Sequence, residues 1–253
     1  MLQYPITAYF FLTSSATRKA SETFLTRVLG RPAGWRDGYR QHRYFACTIL
    51  DRVYLLSGNH DCLDIRIRGE EPILKLIEGG TGCLILGSHL GSFEVLRSLG
   101  ARQNIFSIRV LMRHEQNRII TEFLDGLDPD VADVVIPLGG IDSLLRVQEA
   151  AAQGCLIGML GDRAAAGEDT RQCDFLGHPA PIPLSPMRLA TVLKIPVFLF
   201  FGIYQGGNRY DIHFEAFADP VTVARDQRET VIADLAERYA RRLEHHARLA
   251  PFN

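Results

Sequence analysis

The chain has 253 residues, of which 47% are hydrophobic and 23% charged, and its formal net charge at pH 7 is −1. These values are typical of a globular protein with one sizeable core; they exclude a disordered chain and an overall positive charge that would attract nucleic acid. The five cysteines are scattered, odd in number and without a C-x-x-C pair. They predict neither a disulfide framework nor a zinc site, and they favour a reducing cytoplasm.

The first fifty residues combine positive charge with an aromatic segment. They hold seven arginines and lysines against two acids, Glu22 and Asp37, which leaves a local net charge of +5. Residues 4–12 read YPITAYFFL, a run too short to span a bilayer and without the basic region and cleavage site of a signal peptide. Two interpretations stay open: a first helix packed on the core, or a peripheral contact with an anionic leaflet.

The pattern of apolar residues then predicts a series of helices and strands. In chain order it indicates helices at 15–30 and 40–58, a strand at 63–68, a helix at 72–78, a strand at 84–86, a helix at 93–99, a strand at 105–112, a helix at 117–124, a strand at 134–136, a helix at 141–152, a strand at 155–160, a helix at 184–193, strands at 197–201 and 210–214, and a helix at 225–249. This alternation predicts an α/β fold: a mixed, mainly parallel sheet covered by helices on both faces. We treat 1–253 as one domain, with 1–60 as its helical N-terminal portion and the candidate for membrane contact.

The segment after the predicted strand 84–86 carries the most informative residues. It reads GSHLGSFE, so His89 lies in a turn of small residues and Glu94 lies in the first turn of the next helix. Residues five apart on a regular helix point about 140° apart, so the two side chains can meet only if His89 precedes the helix. The segment predicts an imidazole at the mouth of the sheet, oriented by Glu94 to take a proton from a hydroxyl. An ordinary core pair is the alternative.

Two further polar residues follow predicted strands. Arg113 ends one strand and could hold a carbonyl, carboxylate or phosphate, and Asp162 follows the apolar run 156–160. Ligands bind outside the carboxyl ends of such strands, so His89, Arg113 and Asp162 are expected to share one site. The alternatives are a surface arginine and an Asp162–Arg163 pair.

Other chemistries have little support in the sequence. The chain contains no G-x-G-x-x-G, no Walker loop and no G-x-S-x-G, which argues against nucleotide binding and α/β-hydrolase chemistry. The segment 60–62 and the pair His245-His246 lack convincing partners for a metal ion, so no metal is predicted.

Together these residues form a pattern that resembles the bacterial lipid A late acyltransferases of the lauroyl and myristoyl type, within the lysophospholipid and glycerol-phosphate acyltransferase superfamily. The resemblance rests on H-x4-E from His89 to Glu94, on Arg113 with Asn117, on Asp162 after a glycine, and on the segments DFLGHPA and KIPV later in the chain. It implies the glycerol-phosphate-acyltransferase-like form of the fold and O-acyl transfer from acyl carrier protein or coenzyme A to a hydroxyl of a lipid or glycolipid.

The same resemblance implies roles and a location. His89 would be the general base, fixed by Glu94, while Arg113, Asn117 and Asp162 would bind substrate. No cofactor or metal is required beyond the acyl thioester. The protein would be peripheral, on the cytoplasmic side of the bacterial inner membrane. An acyl chain needs an apolar slot, and Phe93, Met159 and the strand 198–201 are either part of it or ordinary core.

The residues between His89 and Glu94 depart from the lipid A pattern. Most members read H-x-x-N-W-E, whereas this chain reads H-L-G-S-F-E, and Arg163 stands where glutamine is common after the aspartate. The family's N-terminal membrane helix is missing or reduced to 4–12. The variant GSHLGSFE resembles acyltransferases that accompany aryl polyene or xanthomonadin-type pigment synthesis, so a pigment lipid stands beside lipid A as a candidate acceptor. A non-catalytic lipid- or carrier-binding protein and a thioesterase-like hydrolase are the other hypotheses.

Overall fold

The computed structural model describes residues 3–56, 62–96, 107–113 and 134–253. Asn117 and the predicted helix 117–124 lie outside the described residues, as do the end of the predicted helix 93–99 and the start of the predicted strand 105–112.

The described elements follow the predicted order closely. The helices are α1 (Gln3–Thr13), α2 (Ser15–Leu29), α3 (Trp35–Leu56), α4 (Glu71–Glu78), α5 (Gly140–Ala152), α6 (Ser185–Leu193) and α7 (Arg228–Leu249). The strands are β1 (Asp64–Arg68), β2 (Cys83–Gly87), β3 (Ile108–Arg113), β4 (Val135–Leu138), β5 (Leu156–Leu160), β6 (Thr170–Phe175), β7 (His178–Pro183), β8 (Val197–Gly206) and β9 (Arg209–Ala218). The 3₁₀ turn Arg225–Gln227 precedes α7.

Seven of these strands form one sheet in the order β1-β9-β8-β2-β5-β3-β4. Neighbouring strands are parallel throughout, except that β8 and β9 form a long antiparallel hairpin. The prediction of a mixed, mainly parallel sheet is therefore confirmed.

Helices cover both faces of this sheet, as predicted. Strand β2 is buried at every position, and its alternate residues enter two separate clusters of buried side chains. Leu84 and Leu86 pack in the cluster that contains Leu235 of α7, while Ile85 packs in the cluster that contains Leu55 of α3 and Ile73 of α4. We call these the α7 face and the α3 face.

The hairpin of β6 and β7 was not predicted. Prolines at positions 179, 181 and 183 occupy every second residue of β7 and give the segment the look of a loop, because proline cannot donate to a ladder. Among the described strands, these two pair only with each other, in a separate antiparallel sheet. Because β7 has a partner strand along one edge, its prolines can lie at positions where the ladder requires no N–H donor.

A tight turn fixes the chain just after β2. Gly91 has φ +81° and pairs with Gly202 of β8, and the amide of Ser92 donates to the Gly202 carbonyl over 2.8 Å. A Cβ added at Gly91 would lie 2.0 Å from that carbonyl oxygen. The turn that carries His89 is thus held against the middle of the sheet by backbone contact.

We expect Gly91→Ala to lower the free energy of unfolding by at least about 3 kcal/mol, because it adds a steric clash to the strain of a positive φ. Gly80→Ala is the matched control, since Gly80 has φ +68° but open space around the added Cβ. It should cost only about 1 kcal/mol of backbone strain. Urea unfolding of the two variants measures the difference, and equal losses would show that the contact with Gly202 is not tight.

Candidate functional site

The strand order brings three predicted site positions to one edge of the sheet. β5 lies between β2 and β3 and is parallel to both, so their carboxyl ends are neighbours. His89 lies two residues beyond β2, Asp162 lies two residues beyond β5, and β3 ends at Arg113. The side chain of Arg113 and the whole of Asn117 lie outside what the structure describes.

His89 and Asp162 form a two-point contact. Oδ2 of Asp162 accepts a hydrogen bond from the backbone amide of His89 over 3.0 Å, and Oδ1 lies 2.9 Å from Nδ1 of the imidazole. A carboxylate only accepts, so Nδ1 carries a proton and Nε2 of the neutral ring presents its lone pair. This is the arrangement of a general base whose tautomer is fixed by a carboxylate.

The carboxylate in this contact differs from the predicted one. We expected Glu94 to orient His89, but Oε2 of Glu94 lies 3.3 Å from Nε of Arg52 on α3. The cause is the path of the chain between the two residues. Leu90 packs on the α7 face and Phe93 packs on the α3 face, so the segment crosses the end of the sheet. His89 and Glu94 consequently leave the turn toward opposite faces, and Asp162 takes the expected place of Glu94.

The electrostatics of the site favour a basic imidazole. The hydrogen bond with Asp162 raises the pKa of His89 above its ordinary value of 6.5, while partial burial and the charge of Arg163 oppose the rise only in part. The imidazole side chain is 55% exposed, so a substrate can reach it from solvent.

Tyr239 ties together the strand ends that carry the pair. Its side chain, on α7, is fully buried, and its hydroxyl donates to the carbonyl of Gly87 over 2.8 Å. The amide of Gly161 donates to the same carbonyl over 3.1 Å. One oxygen at the end of β2 thereby joins the residue before Asp162 and the helix that covers this face.

We expect Tyr239→Phe to lower the free energy of unfolding by about 1 kcal/mol, because the Gly87 carbonyl keeps the Gly161 amide but loses its second donor. Tyr54→Phe is the control, since the side chain of Tyr54 is about half exposed on α3. That change should stay within about 0.5 kcal/mol. Urea unfolding followed by circular dichroism compares the two variants. An unchanged free energy of unfolding in Tyr239→Phe would show that the hydroxyl does not stabilise these strand ends.

The pair opens into a cavity of about 280 Å³ on the α7 face. His89 and Asp162 line one part of it together with Gln41 and the terminal Asn253. Its apolar wall consists of Phe24, Leu90, Phe175, Leu243 and Ala247. These side chains come from α2, the turn, β6 and α7, so an apolar group could lie beside the imidazole.

The apolar side chains that the sequence offered as a slot for an acyl chain lie away from this cavity. Phe93 packs edge-on against Phe200, with ring centroids 5.5 Å apart, and its ring covers the backbone of Gly87 and Gly158. Met159 and the strand 198–201 are buried in the core. Of the actual wall, Leu90 and Phe175 fall in segments that the sequence marked as informative. Helical spacing alone could not show that Phe24 and Leu243 face His89.

Within the described ranges, no group of three or more His, Cys, Asp or Glu side chains is placed to hold a metal ion. Across the same ranges, every helix falls short of the length and apolar character that crossing a bilayer requires. No protein-family model and no curated protein matches the chain.

Proposed function

We propose that this protein is an O-acyltransferase that moves a fatty or polyene acyl chain from a thioester to a hydroxyl. The observation that carries the proposal is the His89–Asp162 pair beside the apolar wall of the cavity. The donor would be acyl carrier protein or coenzyme A, and the acceptor a lipid or glycolipid such as lipid A or a pigment lipid. The glycerol-phosphate-acyltransferase-like form of the fold belongs to the same proposal.

The proposed reaction needs one base and no resident cofactor. Nε2 of His89 takes the proton of the acceptor hydroxyl as its oxygen attacks the thioester carbonyl carbon. The C–S bond then breaks, and the imidazolium returns the proton to the thiolate, so the products are an ester and a free thiol. Asp162 holds the ring and stabilises the imidazolium while it exists. Arg113 and Asn117 are proposed to bind substrate at the neighbouring strand end.

A second candidate is hydrolysis of the same thioester. The observation that favours it is the exposure of the imidazole, which lets water reach Nε2 as readily as a hydroxyl does. Acyl transfer has more support, because the apolar wall beside the base offers a place for a chain that must be held while the acceptor binds.

A product assay tests the proposal and separates it from both alternatives. The protein is mixed with acyl carrier protein that bears radiolabelled chains of increasing length, together with bacterial lipid extract, and the label is followed by thin-layer chromatography. Label in lipid ester supports the transferase. Label only in free fatty acid would establish the hydrolase, and no turnover of any acyl carrier protein or coenzyme A thioester would establish a binding protein.

A further inference from the structure

The first helix is apolar around most of its circumference and yet lies at the surface. α1 contains no charged residue. Tyr4, Ile6, Tyr9, Phe10 and Leu12 are between 47% and 71% exposed. At 100° per residue, these five positions cover an arc of about 240°. A helix that is apolar all round is normally buried in a protein core or in a membrane, so this one needs something to cover it.

Within the described residues, the buried part of α1 is a narrow strip that packs on α3. Thr7 is buried, and the ring of Phe11 packs edge-on against Tyr39 and His42 of α3, with centroids 5.8 and 5.1 Å away. Gly38 completes the contact, since a Cβ there would lie 3.2 Å from Phe11. Of the two interpretations of this segment, packing on the core therefore accounts for one strip of the helix and leaves the rest of its surface open.

The exposed apolar surface continues along α3. Trp35 is 69% exposed and Phe45 is 67% exposed, and Ile49, Leu50 and Tyr54 are each more than 40% exposed. Large exposed apolar surfaces with polar rims mark sites of contact with other proteins or with membranes. We call the exposed apolar residues of α1 and α3 the N-terminal face.

Cations surround this face and indicate what covers it. Arg43 lies 6.0 Å from the ring of Tyr4, and Arg36 lies 5.5 Å from the ring of Trp35. Arg18 lies 5.7 Å from the ring of Phe11 and donates to the Leu12 carbonyl at the end of α1. Aromatic side chains with neighbouring arginines suit the interface of an anionic bilayer, where rings enter the headgroup layer and guanidinium groups meet phosphates.

The charge of the whole chain also argues for a lipid surface. Residues 1–50 carry a net charge of +5 and the chain carries −1, so the remaining residues carry −6. A second copy seated face to face would bring two positive surfaces together, which is unfavourable. An anionic leaflet attracts the N-terminal face more strongly than the rest of the chain, whose net charge is negative, and so it also favours one orientation.

We propose that the N-terminal face is a docking surface for an anionic lipid bilayer, with α1 lying in the plane of the interface. α2 and α3 carry Phe24 and Gln41, which line the cavity of His89, so docking sets that cavity near the lipid. The inference stands apart from the proposed reaction, since it concerns binding to lipid without an acyl donor.

Vesicle binding tests the inference directly. The full chain is mixed with vesicles of phosphatidylcholine alone or with added phosphatidylglycerol, and bound protein is measured by sedimentation. Trp35 is the one tryptophan of the chain, and its emission reports whether the N-terminal face has entered the bilayer. We expect binding and a blue shift with the anionic vesicles, weakened by salt, and at least about tenfold weaker binding to phosphatidylcholine.

Matched variants locate the contact. Phe10→Ser with Leu12→Ser should weaken binding at least about tenfold, while Leu145→Ser with Leu249→Ser, which changes exposed residues of α5 and α7, should leave it unchanged. His89→Gln should bind as the unchanged protein does. Equal binding by the two double variants would overturn the proposal, as would no binding to anionic vesicles. Self-association of the unchanged protein, lost in the Phe10→Ser, Leu12→Ser variant, would assign the face to a second copy instead.

Discussion

Replacing His89 by glutamine is expected to lower the rate of acyl transfer by about 10²–10⁴, the usual contribution of a general base. Glutamine can still hydrogen-bond, but it cannot accept and return the proton of the acceptor hydroxyl. Because the His89 side chain is 55% exposed, the change should leave the urea midpoint of unfolding nearly unaltered. The measurement is the initial rate of label transfer at saturating acyl thioester.

The control for this variant is His178→Gln. His178 is the first residue of β7 and is also exposed, so its loss tests the general effect of removing a surface histidine. It should transfer at the rate of the unchanged protein. A His89→Gln variant with full activity would show that the reaction uses a different base.

Replacing Asp162 by asparagine should lower the rate by about 10²–10³, because the ring then loses the negative charge that stabilises its protonated form. Asparagine has one acceptor oxygen for the two donors that Asp162 serves, so the variant removes the charge and also one of the two hydrogen bonds to His89. The same rate assay measures it, with unfolding in urea as the check on folding.

Glu94→Gln is the matched change in the other carboxylate. Glu94 pairs with Arg52, so its loss should loosen the contact between the turn after β2 and α3 and lower stability by about 1 kcal/mol. Transfer should fall by less than about tenfold, because no charge next to the imidazole changes. If Glu94→Gln were the slower of the two variants, Glu94 would be the orienting carboxylate after all.

The contrast between these two carboxylates shows what the sequence could predict. The buried run of β2, the small residues after it and the alternation of elements were sufficient to place His89 at the mouth of a sheet. They could also place Asp162 at the same edge, because parallel strands align their ends. They could not rank the partners of His89, since Asp162 lies 73 positions away in the chain and Glu94 lies only five away.

The local sequence pattern did not predict the features that depend on contact between segments far apart in the chain. The pairing of Gly91 with Gly202 sends the chain from the α7 face to the α3 face, and nothing in the eight letters from 87 to 94 shows that β8 lies alongside. β8 and β9 extend well beyond the predicted 197–201 and 210–214, because each completes the other in a hairpin. The cavity wall has the same origin, since Phe24 and Leu243 meet only after α2 and α7 pack on one face.

The acid limb of the kcat/KM profile for acyl transfer tests the central claim most directly. A base must be deprotonated to act, and Asp162 raises the pKa of His89 above 6.5, so the activity of the unchanged protein should fall as the pH drops through a value above 6.5. In Asp162→Asn the pKa loses that support, and the limb should move to lower pH while the maximum rate also falls. An acid limb at the same pH in both proteins would contradict a base whose pKa is raised by Asp162.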